Sequence, residues 1–204
     1  MLSKNQAREI RTLHLKKYRD AQKLFIAEGT KTVSEILEQR PDIVVTVYAQ
    51  AGFLGKFHEL IGRNGIRAIE VSEEELRGIS LQSTPNLVLA VCRQLEPANK
   101  VREQSPFWFY LDDIRDPGNF GTIVRLCDWF GARTLICSPS SCELYNPKVI
   151  QSSTGAFLRD DLEAPDLPTL TAAEAYRPHR NWLGRGFSEQ EQLEIMQTMP
   201  YVEV

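Results

Sequence analysis

The first ninety residues show short apolar runs that alternate with segments of helical spacing. The apolar runs predict four strands, which lie at Leu24–Ala27, Ile43–Tyr48, Ile66–Val71 and Asn86–Cys92. Helical spacing between them predicts two helices, one through Val33, Ile36 and Leu37 and one over Phe53–Ile61. Strands that alternate with helices favour a small α/β/α domain that ends near Cys92.

Polar residues mark the starts of two helices in this half. Thr30 follows Glu28-Gly29 and is expected to cap the first helix with its hydroxyl. Ser72 and Glu75 have the spacing of a capping box, in which each side chain meets the backbone N–H of the other residue. A short helix is therefore predicted after Ser72.

The middle of the chain predicts a strand, a polar loop, a helix and a second strand. The apolar run Phe107–Leu111 is typical of a buried strand, and the turn formers Asp116–Asn119 follow it. Asn119 is expected to cap a helix that Gly131 closes. Thr134–Cys137 is the next predicted strand. The polar loop thus follows the carboxyl end of a strand, where open α/β sheets bind ligands.

A polar segment divides the chain into two predicted α/β domains. Residues 96–106 contain two prolines and no periodic pattern, so they are expected to form a linker. The domains are then residues 1–95 and 107–204. In the second domain, Asn146-Pro147 predicts a further helix start, with a cap followed by proline at the first helical position.

Composition narrows the class of protein. The 204 residues are 42% hydrophobic and 25% charged, which is typical of a globular chain with a real core. No apolar run reaches the roughly 20 residues of a membrane span, and the start lacks the apolar core of a signal peptide. We therefore expect a cytoplasmic protein. The four cysteines form no CxxC pair and the three histidines are scattered, so we expect reduced thiols and no metal.

A basic segment at the start of the chain contrasts with the net charge of −3. Between Ser3 and Lys23 the basic residues outnumber the acidic ones, and apolar residues give a helix there one hydrophobic side. Such a helix is most often a solvated face, although it can also contact nucleic-acid phosphates. The phosphate-contacting hypothesis names Lys4, Arg8, Lys16, Lys17 and Arg19.

Asn119 and Arg125 stand out in the central unit because both are polar and near the predicted crevice. Taken alone, they fit a capping asparagine and a surface arginine. The whole string D-P-G-N-F-G-T-I-V-R, however, resembles motif 1 of the SpoU (TrmH-like) RNA 2′-O-ribose methyltransferases, within the SPOUT superfamily. The family pattern D-P-x-N-x-G-x-[IL]-x-R is matched at Asp116, Pro117, Asn119, Gly121, Ile123 and Arg125.

Further segments extend the resemblance over most of the chain. The first domain is similar to the SpoU substrate-binding domain, which has the fold of L30e-like RNA binders, through Asn5–Leu13, Lys16–Arg19, Phe25–Gly29 and Thr84–Val91. Asn146–Arg159 resembles the family segment N-P-K-x-x-R-A-S-x-G-A-x-x-R, with Gln151 in place of its first arginine. Leu183–Ser188 resembles a shortened motif 2 without its Asn-Glu pair, and motif 3 is not found.

The resemblance implies an L30e-like domain followed by a trefoil-knotted SPOUT methyltransferase domain, one of the rare knotted folds. It implies S-adenosylmethionine as methyl donor, bound near Leu183, Gly184, Met199 and Pro200. It also implies a homodimer through the C-terminal domain, for which the predicted helix Glu189–Met196 offers an apolar face. No metal is needed, because the donor's sulfonium already makes its methyl carbon electrophilic.

The resemblance also implies roles for the residues of motif 1. Its arginine, here Arg125, is placed at the ribose hydroxyl, and we favour a charge that stabilises the alkoxide, since a guanidinium holds its proton too tightly for a base. Asn119 would hold Arg125 and the ribose in register, and Gly121 would permit close backbone approach. The expected function is 2′-O-methylation of RNA, and the two-domain architecture favours ribosomal RNA over tRNA by analogy.

Two other functions remain as alternatives. A non-catalytic RNA-binding protein with the SpoU fold would explain the missing Asn-Glu pair and motif 3, but a pure binder has no need of both Asn119 and Arg125. A Rossmann-type nucleotide-binding enzyme is disfavoured, because no G-x-G-x-x-G follows Phe107–Leu111.

Overall fold

The computed structural model describes residues 2–82, 84, 86–95, 108–131, 134–138 and 140–158. All of them belong to one compact unit, Met1–Asp166. The predicted linker 96–106, the residues Leu183, Gly184, Met199 and Pro200, and the helix Glu189–Met196 lie outside the described residues.

The first part of the chain forms a four-stranded mixed sheet with helices on both faces. The strands are β1 (Leu24–Glu28), β2 (Val44–Ala49), β3 (Arg67–Glu70) and β4 (Val88–Arg93), in the order β1-β4-β2-β3. β4 runs antiparallel to β1 and β2, whereas β2 and β3 are parallel. The helices are α1 (Lys4–Thr12), α2 (Lys16–Gln22), α3 (Thr30–Gln39), α4 (Ala51–Arg63) and α5 (Glu73–Ile79). A 3-10 turn, Pro41–Ile43, precedes β2.

The sheet divides its apolar side chains between two cores because successive residues of a strand point to opposite faces. In β1, Phe25 and Ala27 join the core that includes α3 and α4, while Ile26 joins the core against α1 and α5. The first core continues into the second part of the chain, where it includes Phe120 and Phe157. The predicted α/β/α arrangement is confirmed for this part.

The second part contains the predicted strand, helix and strand in that order. β5 (Trp108–Leu111) and β6 (Thr134–Cys137) pair in parallel, and α6 (Pro117–Phe130) connects them. After β6 come α7 (Pro147–Ser153) and a 3-10 turn, Ala156–Leu158. The predicted α/β class is confirmed, while the segment that would form the predicted knot lies beyond these described elements.

Phe25 links the two parts of the described chain. Its ring packs against Tyr145, with centroids 5.0 Å apart, and edge-on against Phe157 at 5.7 Å. The Tyr145 hydroxyl in turn accepts a hydrogen bond of 2.8 Å from the backbone N–H of Leu95. The first part and α7 are therefore joined by continuous aromatic packing rather than by the linker alone.

Several predicted helix starts are confirmed and two are wrong. Ser72 and Glu75 form the predicted capping box, and Asn146 caps α7 by accepting from the N–H of Lys148. Thr30, by contrast, is the first residue of α3, and Gly29 takes the cap position with φ of +99°. A backbone in that region favours glycine, and the Thr30 hydroxyl instead donates to Asn86 Oδ1 at 3.1 Å.

Asp116, not Asn119, caps α6. Its carboxylate accepts a 2.8 Å hydrogen bond from the backbone N–H of Asn119, and Pro117 occupies the first helical turn. This arrangement follows the preference of proline for the first helical position, directly after the cap. Asn119 is therefore the third residue of the helix, and its side chain is released from the capping role that the sequence predicted. Gly131 closes the helix as predicted, with φ of +69°.

The predicted basic helix at the chain start is two helices. α1 ends at Thr12, and α2 begins at Lys16 after a short turn. In the described ranges, no helix combines the length and apolarity that a membrane span requires.

Gly121 allows α6 and α7 to approach closely. A Cβ atom built on Gly121 would lie 2.9 Å from both the Cβ of Ser152 and the backbone nitrogen of Ser153, and closer still to the Ser152 hydroxyl. That hydroxyl lies 2.7 Å from the backbone oxygen of Lys148 on α7 and 3.1 Å from that of Pro117 on α6, so it is in hydrogen-bond reach of both helices. The expected close backbone approach at Gly121 therefore serves helix packing in the described structure.

Gly121→Ala is expected to destabilise the fold. The added methyl group would force α6 and α7 apart, and overpacking of this kind typically costs about 1–3 kcal/mol in the free energy of unfolding. Gly55→Ala on α4 is the control, because a Cβ there meets nothing within 4 Å. Urea titration monitored by circular dichroism should show a lower midpoint for Gly121→Ala and an unchanged or higher one for Gly55→Ala. Equal midpoints for the two variants would contradict the packing role of Gly121.

Candidate functional site

The loop between β5 and α6 is held by a serine-rich loop after β6. Ser138 Oγ accepts from the backbone N–H of Asp113 at 2.9 Å, and Ser141 Oγ accepts from that of Ile114 at 3.1 Å. The N–H of Cys142 donates to the carbonyl of Ile114 at 2.7 Å. Asp113 has φ of +54°, a conformation that a non-glycine residue keeps only when its surroundings hold it there. The loop thus has a fixed shape at the carboxyl edge of the two parallel strands.

A polar strip begins at this loop and winds partly around α6. Asn119, Thr122 and Arg125 follow each other at three-residue spacing, and all three are exposed. At about 1.5 Å of rise per residue, Asn119 and Arg125 are separated by roughly 9 Å along the helix axis. Thr122 is a close neighbour of each of them at this spacing, whereas Asn119 and Arg125 themselves are about 120° apart around the axis, since one turn takes 3.6 residues. A ligand as large as a nucleotide could therefore contact both of the predicted catalytic residues by curving around this part of α6.

Arg125 lines a groove between α6 and α3, which we call the Arg125 groove. Its volume is about 560 Å³, within the range of small-ligand sites. α6 contributes Thr122, Arg125, Leu126, Asp128, Trp129 and Phe130, and α3 contributes Lys31 and Glu35. Two cations and two carboxylates therefore surround one concave surface. This mixed charge suits a ligand that carries both an anionic group and hydrogen-bond donors.

Lys31 is a candidate that the sequence analysis did not name. It lies at the start of α3, two residues after the Phe25–Gly29 segment, and it faces the same groove as Arg125. Its position directly after a segment that resembles the family could have marked it as a candidate site residue. That signal could not place Lys31 beside Arg125, because the two residues are far apart in the sequence and are brought together only by packing.

Four of the five predicted phosphate-contacting residues are on the surface. Lys4 and Arg8 are exposed on α1, and Lys16 and Lys17 are exposed on α2. The ammonium of Lys17 lies 4.8 Å from the centroid of the Tyr18 ring. We call these four residues the basic surface.

Arg19 departs from the prediction because it is buried, with only 2% of its surface exposed. Its Nη1 donates to the carbonyl of Leu13 at 2.7 Å, and its Nη2 forms an ion pair with Glu143. Burial is the largest influence on the pKa of Arg19 and lowers it from the usual value, whereas the nearby Asp20 raises it. The guanidinium thus closes the turn between α1 and α2 and joins it to the loop before α7. It presents no exposed charge to a phosphate.

The cysteines are structural in the described chain, as predicted. None of these four described cysteines forms a disulfide, and Cys92 and Cys127 are buried. Burial raises the pKa of Cys137 to about 12 and also raises that of Cys142. Since the thiolate is the reactive form, these side chains are unsuited to nucleophilic catalysis. Among the described residues, no three His, Cys, Asp or Glu side chains are grouped as a metal ion would require.

Two protein families match this chain in consecutive segments. Residues 4–90 match the MRM3-like substrate binding domain, and residues 106–181 match the SpoU rRNA Methylase family. Together the two matches leave out only short segments and the last part of the chain.

Curated relatives are ribosomal RNA methyltransferases by name. The 23S rRNA (guanosine(2553)-2′-O)-methyltransferase RlmP of Bacillus subtilis is 28% identical over 200 residues, which cover 93% of this chain and 75% of the relative. The mitochondrial rRNA methyltransferase 3 of Homo sapiens is 22% identical over 70% of this chain but only 35% of its own length. The chain thus spans about a third of the human relative.

Solved structures share the fold. A TrmH-family protein from Porphyromonas gingivalis superposes with a TM-score of 0.69 at 32% identity, over 81% of this chain and 64% of that one. The AdoMet-bound rRNA methyltransferase from Sinorhizobium meliloti gives a TM-score of 0.73 at 24% identity, over 89% and 68%. At that lower identity the likeness concerns the fold alone.

Arg19→Ala is expected to reduce stability. Arg19 is buried but Glu143 is partly exposed, so the substitution removes hydrogen bonds to a carboxylate and a carbonyl without burying a bare charge, a loss that typically costs about 1.5–3 kcal/mol. Arg77→Ala is the control: Arg77 pairs with Glu73 on the exposed face of α5, where such a pair is worth about 0.5 kcal/mol or less. Thermal unfolding should show a large loss of melting temperature for Arg19→Ala and little change for Arg77→Ala. An Arg19→Ala protein as stable as the parent would contradict the structural role.

Proposed function

Because the chain belongs to the SpoU rRNA methylase family, we propose that it transfers a methyl group from S-adenosylmethionine to a ribose 2′-hydroxyl of ribosomal RNA. The observation that carries this proposal is the exposed Arg125, which ends the polar strip of α6 and shares its groove with Lys31. An arginine and a lysine that face one groove suit the phosphates and the developing charge of an RNA ribose.

The relatives support ribosomal RNA as the substrate class. The Bacillus relative, whose length this chain covers to three quarters, is named for a 23S rRNA guanosine, and the human relative is also an rRNA methyltransferase by name. The MRM3-like match in residues 4–90 is a substrate-binding domain, which fits an RNA substrate. We also propose the cytoplasm as the site of action, because ribosomes and their RNA are abundant there.

Arg125 is proposed to act on the charge of the reacting oxygen. S-adenosylmethionine, when bound, supplies a methyl carbon made electrophilic by its sulfonium. The protein must hold the 2′-hydroxyl in line with that carbon, and such positioning can be worth roughly 7–11 kcal/mol. As the oxygen loses its proton, the Arg125 guanidinium would stabilise the negative charge that develops. A guanidinium holds its own proton too tightly to remove another, so we assign no base role to it.

Asn119 is proposed to position the ribose beside Arg125. Its side chain is free of capping because Asp116 performs that task, and it lies on the same exposed strip of α6. The two residues lie roughly 9 Å apart along the axis and about 120° apart around it, and we propose that the long Arg125 side chain and a ribose together span this separation. The rigid loop before α6 supports this arrangement, since its backbone is hydrogen-bonded to Ser138 and Ser141.

The methyl donor is proposed to bind in the C-terminal segment. Leu183, Gly184, Met199 and Pro200 are its proposed contacts, and they would be presented by a trefoil-knotted chain in residues 107–204. The described structure is compatible with this placement, because β5 and β6 are parallel and parallel sheets bind ligands beyond their carboxyl ends. Residues 1–95 would then serve as the RNA substrate-binding domain, with 96–106 as the linker.

We also propose a homodimer through the C-terminal domain. Support comes from the end of α6, where Leu126, Trp129 and Phe130 are exposed large apolar side chains and Trp129 is 83% exposed. Because the same side chains line the Arg125 groove, the proposed interface would border that groove. An apolar helix face of this kind is unusual on a monomer surface.

Trp129→Glu is expected to shift the chain to monomer in light scattering. The new charge would have to be buried in the interface. Leu15→Glu is the matched control, because Leu15 is 55% exposed on the turn between α1 and α2. The dimer would be refuted if the parent protein were monomeric at micromolar concentration. If both variants shifted equally from dimer to monomer, the assignment of the interface to the end of α6 would be refuted.

Arg125→Ala is expected to lower methyl transfer on the order of a hundredfold to a thousandfold, as the loss of one preorganised charge typically does. Donor affinity, measured by calorimetry, should change little, because the proposed donor contacts lie elsewhere. Arg125→Lys should recover only part of the rate, because an ammonium lacks the planar fork of a guanidinium.

The transfer assay uses single turnovers on an rRNA fragment, with Arg63→Ala as the control for loss of an exposed arginine on α4. If Arg125 had only a structural role, Arg125→Ala would lower the melting temperature, and the fraction of protein that remains folded would keep its activity. Near-parental transfer by Arg125→Ala would refute the catalytic role. Failure of the parent protein to transfer methyl groups would favour a non-catalytic RNA binder instead.

The basic surface is proposed to bind RNA phosphates without reading sequence. Replacing Lys16 and Lys17 with Ala should weaken RNA binding and flatten its salt dependence by up to about one unit of slope per lost phosphate contact. The control replaces Lys56 and Arg63, two exposed cations of α4, and so removes equal charge from another surface. Equal losses in filter-binding titrations for both pairs would show a general charge effect and no dedicated surface.

A further inference from the structure

We propose that a second groove, next to the proposed catalytic strip, binds the RNA nucleotide adjacent to the methylated one. This α7 groove has a volume of about 460 Å³. Glu28 at the end of β1, Leu81, Gln82 and Thr84 before β4, and Lys148 and Gln151 on α7 line it. The inference rests on the proposed function, and it adds a subsite and a base preference to it.

Glu28 gives the groove a fixed hydrogen-bond acceptor. The residue is buried, and its carboxylate accepts from the backbone N–H of Leu81 at 3.1 Å and from the hydroxyl of Ser80. The Ser80 hydroxyl also accepts from the N–H of Gln82 at 2.9 Å, so the wall of the groove is ordered around the same carboxylate. A carboxylate has about four acceptor positions. The donors seen among the described residues use two of them, and we propose that the others accept from a ligand that carries N–H groups.

Lys148 connects this groove to the proposed catalytic residues. Its backbone N–H donates to Asn146 Oδ1 at 2.9 Å, which fixes it in the first turn of α7. Its side chain reaches α6, because Lys148 Cε lies 3.9 Å from the place of a Cβ on Gly118, the residue before Asn119. The ammonium group thus stands between the α7 groove and the start of the polar strip. A phosphate that joins two adjacent nucleotides would pass that point.

The charges orient the nucleotide in the groove. Lys148 is the one cation among the described lining residues, and Glu28 is the one anion. A phosphate would be attracted to Lys148 and repelled by Glu28, so the base would lie toward Glu28. Bases with amino or imino N–H groups can donate to a carboxylate, and guanine offers two such donors side by side. We therefore assign guanine as the preferred base and uracil as a poor one.

Gln151 explains why a base rather than a second phosphate would bind here. It stands where the family-like segment has an arginine, so the groove keeps a neutral hydrogen-bonding side chain in place of a second cation. An amide can donate to and accept from a base edge. Gln151→Arg should consequently raise affinity for any RNA and reduce the preference among bases.

The test measures RNA binding by the full chain without methyl donor. The probes are fluorescent uridine oligonucleotides of about eight residues, with or without one central guanosine, a length within the usual range for single-strand sites. The parent should bind the guanosine probe at least several-fold more tightly, as one good base contact allows. Glu28→Gln should remove most of that preference and leave affinity for the uridine probe nearly unchanged.

Lys148→Ala should weaken binding of both probes and lower the salt slope by roughly 0.7, the value for one phosphate contact on a single strand. Lys56→Ala, at an exposed position of α4, should change neither value. Gln151→Arg gives a second readout in case the Glu28 variant misfolds. Gln151 is exposed, so its substitution should not disturb the fold, and the expected change is a gain in RNA affinity.

Failure of this proposal can be told apart from failure of the proposed function. Equal parental affinity for the two probes, or parental binding by Lys148→Ala, would overturn the subsite even if the protein methylates rRNA. Conversely, guanosine preference that depends on Glu28 would support the subsite even if methyl transfer were absent.

Discussion

The close contact between α6 and α7 at Gly121 determines where the functional side chains lie. α6 carries Asn119 and Arg125, while α7 carries Lys148 and Gln151. The distance between these helices is set by a missing side chain, since even a methyl group at Gly121 would collide with Ser152 and the backbone of Ser153. Tyr145 and Phe157, which lie on either side of α7 in the sequence, pack on Phe25 of β1, so the helix pair is placed relative to the mixed sheet. This spacing therefore sets how far the α6 wall of the Arg125 groove lies from the α7 wall of the second groove.

Arginine residues in this chain illustrate how burial separates structural from functional charge. Arg19 is buried and its two terminal nitrogens pair with Leu13 and Glu143, whereas Arg125 is exposed on a groove. Desolvation makes an unpaired buried charge costly, so Arg19 requires its partner and contributes to folding. An exposed charge keeps its solvation and can exchange water for a ligand. Arginine therefore stabilises the fold at position 19 and is available to a ligand at position 125.

The sequence predicted local features well and long-range contacts poorly. β5, α6 and β6 were predictable because an apolar run, a cluster of turn formers and helical spacing follow one another directly. The cap of α6 was assigned to Asn119 because two cap-forming residues lie three positions apart, although Pro117 favours Asp116. The burial of Arg19 depends on Glu143, and the place of Lys31 depends on how α3 packs beside α6. No local pattern carries that information.

The aromatic cluster around Phe25 has a consequence for how the chain is made. Synthesis runs from the amino terminus, so β1 and its sheet are complete long before Tyr145 and Phe157 exist. During that interval the face of β1 that will receive α7 carries an uncovered aromatic ring. Such surface is a site for misassociation with other chains or for chaperones. In a nascent chain of this protein, the apolar surface around Phe25 is therefore fully buried only after the later part of the chain has been synthesised.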